Sequence, residues 1–236
     1  MVLGSAATIM GTPILVVFDW DGTVVDSQRL IHKVMCTALS THGHPVPSLE
    51  SVCAVVGLEL AEAITRLLPQ EFSGDLGAVV SAYREAFALE RSKPDCDEPL
   101  FPNVRETLSA LAHADILCAI ATGKSKRGLR AGLDRHELGG FFVSIQTSDD
   151  APGKPHPGML EQAMNEVGVD RKDTIMVGDT TFDMDMAANA GVRAVGVGWG
   201  YHSVEHLKSA GAVMILDRFS DIPDAVTRMV TPGARR

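Results

Sequence analysis

Clustered positive charge is missing from this sequence. Against 30 Asp and Glu stand 21 Lys and Arg, for a net charge of −9. With no basic stripe anywhere, that balance excludes a nucleic-acid surface, which meets phosphate backbones with grouped cations. Long apolar runs are missing too: nowhere do about 18 apolar residues follow one another, so no spanning helix and no membrane partner is predicted. The stretch 1–12 has neither the charged start nor the apolar segment of a secretory signal and is expected to be a loose tail. Cysteine is scarce. The four, Cys36, Cys53, Cys96 and Cys118, show no metal-ligand spacing and lie in or beside apolar stretches. They are expected to be reduced and buried, which points to the cytoplasm.

What is present suits a folded enzyme. At 236 residues and 45% hydrophobic, the chain can bury one good core and carry a second small lobe. Organisation starts from Phe18-Asp19-Trp20-Asp21-Gly22-Thr23. The apolar, largely β-branched run Ile14-Leu15-Val16-Val17-Phe18 before it reads as a buried strand of a parallel sheet, which places both aspartates at a strand end. Turn-forming alone would explain an Asp-Gly pair there. In open α/β sheets, however, ligands bind beyond the carboxyl ends of the strands. Helical periodicity follows over 27–43, with Ser27 as its cap, and over 48–56, 60–68 and 77–91, with no strand-like alternation between. A charged, proline-rich stretch, 93–99, reads as a hinge. Beyond it, helices over 104–112, 126–138, 158–167, 182–190 and 222–229 alternate with strands over 116–121, 141–145, 174–177, 194–197 and 213–215. Such alternation implies right-handed crossovers and a parallel sheet covered on both faces. The first strand must join that sheet, so the helical block is an insertion above Asp19 and Asp21, placed as a lid.

Further polar groups fall at predicted strand ends. Thr122 and Gly123 follow one strand, where a hydroxyl and free N–H groups suit phosphate. Gly178-Asp179-Thr180-Thr181-Phe182-Asp183 follows another, and Lys154 stands alone in the loop Gly153-Lys154-Pro155. Each has a plain structural reading, as a cap, a solvated charge or a first-turn acid. Together, Asp19, Asp21, Asp179 and Asp183 would crowd carboxylates into one crevice, which needs a cation. An all-oxygen site with open positions suits Mg²⁺. Thr122 and Lys154 would face a phosphate from the other side, and phosphoryl transfer needs mainly such positioning and charge neutralisation.

The ordered set Asp19-Trp20-Asp21-Gly22-Thr23, Thr122, Lys154 and Gly178 to Asp183 resembles the four motifs of the haloacid dehalogenase superfamily. The segment 178–191 is most similar to phosphoglycolate-phosphatase-like members. The resemblance implies an α/β fold, a Rossmann-like doubly wound parallel sheet formed by 13–26 and 95–236, with an inserted all-helical cap over 27–94. It implies Asp19 as nucleophile, forming an aspartyl-phosphate, and Asp21 as general acid and then base. Mg²⁺ would be held by Asp19, Asp21 through its backbone carbonyl, and Asp179, with Asp183 close by. Thr122 and Gly123 would hold the phosphate, and Lys154 would balance its charge. The expected reaction is hydrolysis of a small-molecule phosphate ester, phosphoglycolate-like, by a monomer or homodimer.

Rival readings stay in view. A P-loop at Gly123-Lys124-Ser125 fails because Cys118 stands where its first glycine should be. A sugar phosphomutase of this fold keeps both aspartates, but Ile31 occupies its histidine position and His32 is one step off, facing solvent or lid packing. Phosphonate cleavage would need a cap lysine of lowered pKa, for which only Lys33 and Lys93 are available. A pyrophosphatase on the same fold and a non-catalytic binding protein are the remaining alternatives. His202 and His206, spaced i, i+4, read as one helix face, and Arg66, Arg84 and Arg91 as anion readers or solvated faces. The loop Gly57-Leu58-Glu59 is placed over the crevice, with residues 57–60 touching substrate.

Overall fold

The structure, a computed structural model, describes residues 12–93 and 95–230; the expected N-terminal tail lies outside them, Thr12 excepted. It opens with β1 (Leu15–Phe18) and continues through four helices, α1 (Gln28–Thr41), α2 (Leu49–Cys53), α3 (Leu60–Leu67) and α4 (Leu76–Arg91). The alternating part follows: α5 (Val104–His113), β2 (Leu117–Thr122), α6 (Lys126–Arg135), β3 (Phe142–Thr147), α7 (Gly158–Val167), β4 (Thr174–Gly178), α8 (Thr181–Ala190), β5 (Arg193–Val197), α9 (Val204–Ser209), β6 (Met214–Leu216) and α10 (Ile222–Val230).

All six strands are parallel in the order β3-β2-β1-β4-β5-β6. The chain therefore winds outward to one side of β1 and then to the other, and the switch falls between β1 and β4, where a crevice opens at the carboxyl ends. Strand periodicity decides the two faces. Val16 and Phe18 of β1 turn into a cluster with Leu108, Leu129 and Val226, whereas Leu15 and Val17 meet Met159, Leu160, Met184 and Leu207. Being buried on both faces, β1 tolerates only apolar side chains.

The four early helices have a core of their own. Leu30, Ile31, Val34, Met35 and Leu39 recur along α1 at three- and four-residue spacing and pack with Val52, Ile64, Val79 and Phe87. Asp75 caps α4 by accepting from the Ala78 N–H.

Several expectations need correcting. Ser27 precedes α1 but makes no capping bond, because its hydroxyl is drawn to Asp21. The helix over 48–56 shrinks to α2 and then turns, and the helix over 126–138 ends at Arg135, after which Glu137 takes a φ of 52°. Thr122 ends β2 itself instead of following it. α9 carried no recognised pattern, since Leu207 is its one buried residue. The cysteines are all free, yet only Cys53 and Cys118 are buried; Cys36 and Cys96 are half-buried. Among the described residues, no helix is long and apolar enough to cross a membrane.

Candidate active site

Backbone pairing places the first carboxylate. The Asp19 N–H donates to the Val177 carbonyl at 2.9 Å, which extends the β1–β4 ladder one residue into the crevice. Gly22 then turns the chain at a φ of 86°, a conformation that costs other residues dearly, and a Cβ there would collide with the Asp179 carboxylate. β4 carries Asp179 to the same edge, and Asp183 sits in the first turn of α8.

Oxygens of Asp19, Asp179 and Asp183 all lie within 4.8 Å of one another, and each residue is buried. Lys154 comes between two of them, with Nζ 2.9 Å from Asp19 Oδ1 and 2.6 Å from Asp183 Oδ1. Asp179 accepts from the Thr23 hydroxyl at 2.8 Å and from the Tyr201 N–H at 2.9 Å. Asp183 Oδ2 accepts from the Thr180 N–H at 3.0 Å and the Thr180 hydroxyl at 2.7 Å. Asp19 Oδ1 also accepts from the Trp20 N–H at 2.7 Å, whereas Asp19 Oδ2 is buried with no hydrogen-bond partner. A buried, partnerless carboxylate oxygen is costly unless something else meets it.

The electrostatics agree. Burial pushes the Asp19 carboxyl up to about 7, with Lys154 pulling it down and Asp183 adding to the rise. Asp179 is raised well above the carboxylate range by burial, Asp19 and Asp183. Burial works against the Lys154 ammonium, but Asp183 and Asp19 outweigh it and hold the charge on. With all three acids ionised, one lysine leaves two negative charges uncompensated, and this hard-oxygen set fits a divalent cation.

Asp21 has a different environment. Its Oδ1 accepts from the Ser27 hydroxyl at 2.6 Å, and the Lys124 ammonium sits 2.9 Å from both of its oxygens. Burial opposes its ionisation, yet Lys124, Ser27 and Arg91 together hold its pKa below the usual value. The structure thus brings together three of the four expected carboxylates and turns the fourth onto a lysine.

Above the acids lies a cavity of about 400 Å³, reached by Asp19, Asp21, Thr122 and Gly123 from the sheet and by Gly57 and Leu58 from the helical layer. Gly123 is required: a Cβ would stand 2.5 Å from the Leu58 carbonyl oxygen and 2.6 Å from that of Gly57. The loop after α2 therefore rests directly on the strand edge.

A sequence profile described as haloacid dehalogenase-like hydrolase matches residues 16–197. The chain belongs to this family. The protein named "Probable phosphatase IndB" from Dickeya dadantii (strain 3937) is 36% identical over 89% of this chain and 92% of its own. A phosphoglycolate phosphatase from Pseudomonas syringae pv. syringae is 32% identical over 87% and 76% of the two chains. The crystal structure of a hydrolase from Pseudomonas syringae superposes with a TM-score of 0.81 at 21% identity, covering 94% of this chain and 100% of that one, a likeness of fold. The chain is an enzyme, a phosphatase-type hydrolase of the haloacid dehalogenase-like family.

Lys33 is an exposed lysine 2.7 Å from Glu90, and the Glu90 carboxylate raises its pKa, so it lacks the lowered pKa that phosphonate cleavage requires. His32 packs in the helical layer, its Nε2 3.1 Å from the Pro47 carbonyl. His202 and His206 do not share a helix face: His202 precedes α9, where its Nδ1 accepts from the Thr181 N–H, and His206 lies in α9's first turns. Arg66 pairs with Glu62 on the surface, whereas Arg91 is buried, bonded to Glu98 and to the Gly128 carbonyl, and is no solvated face. Lys124, Ser27 and Glu98 were not recognised from sequence, because their partners are set by the fold.

Proposed function

We propose that the enzyme hydrolyses a small-molecule phosphomonoester with the help of Mg²⁺, through an aspartyl-phosphate on Asp19, with residues 27–94 serving as a lid. The observation that carries this reading is the partnerless Asp19 Oδ2, aimed into a crevice that also holds Lys154 and two further carboxylates. Asp19, Asp179 and the backbone carbonyl of Asp21 would hold Mg²⁺, with Asp183 alongside, where the ion would neutralise charge on the phosphoryl oxygens. Thr122 and Gly123 bind the phosphate at the end of β2, and Lys154 meets its charge from the opposite side.

In the first step an Asp19 oxygen forms a bond to phosphorus as the bond to the leaving oxygen breaks, and Asp21 gives its proton to the departing alkoxide. In the second step Asp21 takes a proton from water as the water oxygen attacks phosphorus, freeing Asp19 and inorganic phosphate. Lys124 and Ser27 stabilise the ionised Asp21 that the second step needs. The first step needs its protonated form, so Lys124 leaves Asp21 for the substrate phosphate when the ester binds. Gly57 and Leu58 close over the phosphate-binding edge and touch substrate.

The relatives' names put phosphoglycolate first among trial substrates, ahead of hexose phosphates, nucleoside monophosphates and pyrophosphate. Phosphate release from that panel, with Mg²⁺ and with chelator, beside Asp19→Asn, tests the reading. Release that depends on Mg²⁺ and disappears in Asp19→Asn is expected. Metal-independent release, or release that survives Asp19→Asn, overturns it.

A further inference from the structure

We infer that the leaving group of the preferred substrate is an extended apolar body, an alkyl or aryl chain, and not a hydroxy acid or a polyol. This rests on the phosphatase reading and narrows it. The cavity over the phosphate edge is lined from the helical layer by Ile31, Met35, Val52, Val56, Tyr83 and Phe87 among others. Among the described residues, no Asn, Gln, His, Asp or Glu of that layer reaches it, and its only hydroxyls there are those of Tyr83 and Ser92, with Thr122 and Ser125 at the sheet edge. A sugar or glycerol moiety drawn in here would lose its water and find few partners along the helical layer to replace it, a penalty of desolvated hydroxyls.

The charged groups at the base serve the phosphate end and the fold, not the leaving group: Lys124 pairs with Asp21 and passes to the phosphate, and Arg91 is bonded to Glu98 and the Gly128 carbonyl. Arg84 and Arg127 make no ion pair among the described residues, but both are exposed. They line the cavity from its solvent-facing side, where they attract an anionic ester toward the mouth. A two-carbon glycolate would also leave most of about 400 Å³ unfilled, a volume within the roughly 300–1,000 Å³ range of small-molecule pockets. Binding energy from apolar contacts remote from phosphorus is what such an enzyme can apply to the reacting centre.

The test is a series of ethyl, butyl and hexyl phosphate, whose leaving alcohols have nearly equal acidity, beside phosphoglycolate and glycerol phosphate, all with Mg²⁺. The expected result is a kcat/KM that rises about three- to fourfold per added methylene until the cavity is filled. Hexyl phosphate should outrun both polar esters. A flat or falling series, or phosphoglycolate ahead of hexyl phosphate, overturns the inference while leaving the phosphatase reading intact. Should no ester be hydrolysed, the phosphatase reading fails, and calorimetric binding of ethyl- and hexylphosphonate decides the cavity on its own: tighter binding of the longer chain upholds an apolar occupant, equal binding overturns it. Met35→Gln, similar in length but polar, is expected to flatten the chain-length dependence; an unchanged slope would place the chain elsewhere.

Discussion

Asp19 and Asp21 stand two residues apart and are pushed in opposite directions: burial and Asp183 raise the first toward about 7, while Lys124, Ser27 and Arg91 overcome burial and lower the second. A pair of carboxylates driven apart in this way is suited to two different tasks, nucleophile and proton carrier. The lowering of Asp21 has a testable sign. If Asp21 must carry a proton into the first step, kcat/KM falls on the alkaline side as that proton is lost. Removing the Lys124 cation raises the Asp21 pKa, so in Lys124→Met this fall is expected at higher pH than in wild type, along with a lower maximum from the lost phosphate contact. A pH profile that keeps its position would show that Lys124 does not govern Asp21. Asp19, Asp21, Thr122 and Asp179 stood out in the sequence because each is a polar group at or just past the end of an apolar run, whereas Lys154 and Asp183 stood out as a lone cation in a Gly-Pro loop and a first-turn acid. Lys124 did not: its partner lies 103 residues away, and next to Gly123 and Ser125 it looks like any turn lysine.

At the scale of elements, the contact between the α2–α3 loop and the end of β2 sets how the helical layer meets the edge of the sheet. Gly123 presses against the backbone carbonyls of Gly57 and Leu58, and backbone cannot swing aside as a long side chain can. Gly123→Ala is therefore expected to lift that loop, raising KM tenfold or more, on the order of 1.4 kcal/mol of lost binding. Crystallography of the variant should show loop 54–59 displaced; an unmoved loop with unchanged KM would remove it from the site. The elements themselves were readable where burial imposes a period: β1 as an unbroken apolar run, α1 as a three- and four-residue repeat. α9 escaped because one buried leucine makes no repeat, and the i, i+4 spacing of His202 and His206 was coincidence, since His202 stands outside the helix.

Across the whole molecule, two cores, one on the sheet and one within α1–α4, are tied together at the base of α4. Arg91, the last residue of α4, and Glu98, within the stretch 93–99, form a buried ion pair whose side chains are 8% and 0% exposed. Arg91 also reaches the Gly128 carbonyl of α6, and Lys124 stands 3.9 Å from Glu98. The stretch 93–99 reads from its composition as a free hinge, yet it delivers a charge into the interior, a pairing invisible without the fold. Burying both ions costs desolvation that their attraction only offsets, so the pair adds little net stability over an apolar replacement. Removing one partner is different, because it strands the other. Glu98→Leu alone should cost about 3–5 kcal/mol, leaving Arg91 buried without its carboxylate. Arg91→Met should cost less, since Lys124 remains beside Glu98. The double variant Arg91→Met/Glu98→Leu should recover much of the larger loss, giving a strongly non-additive cycle in urea unfolding. Additive losses would mean that the two cores are joined by apolar packing alone and that the pair does not fasten the helical layer to the sheet.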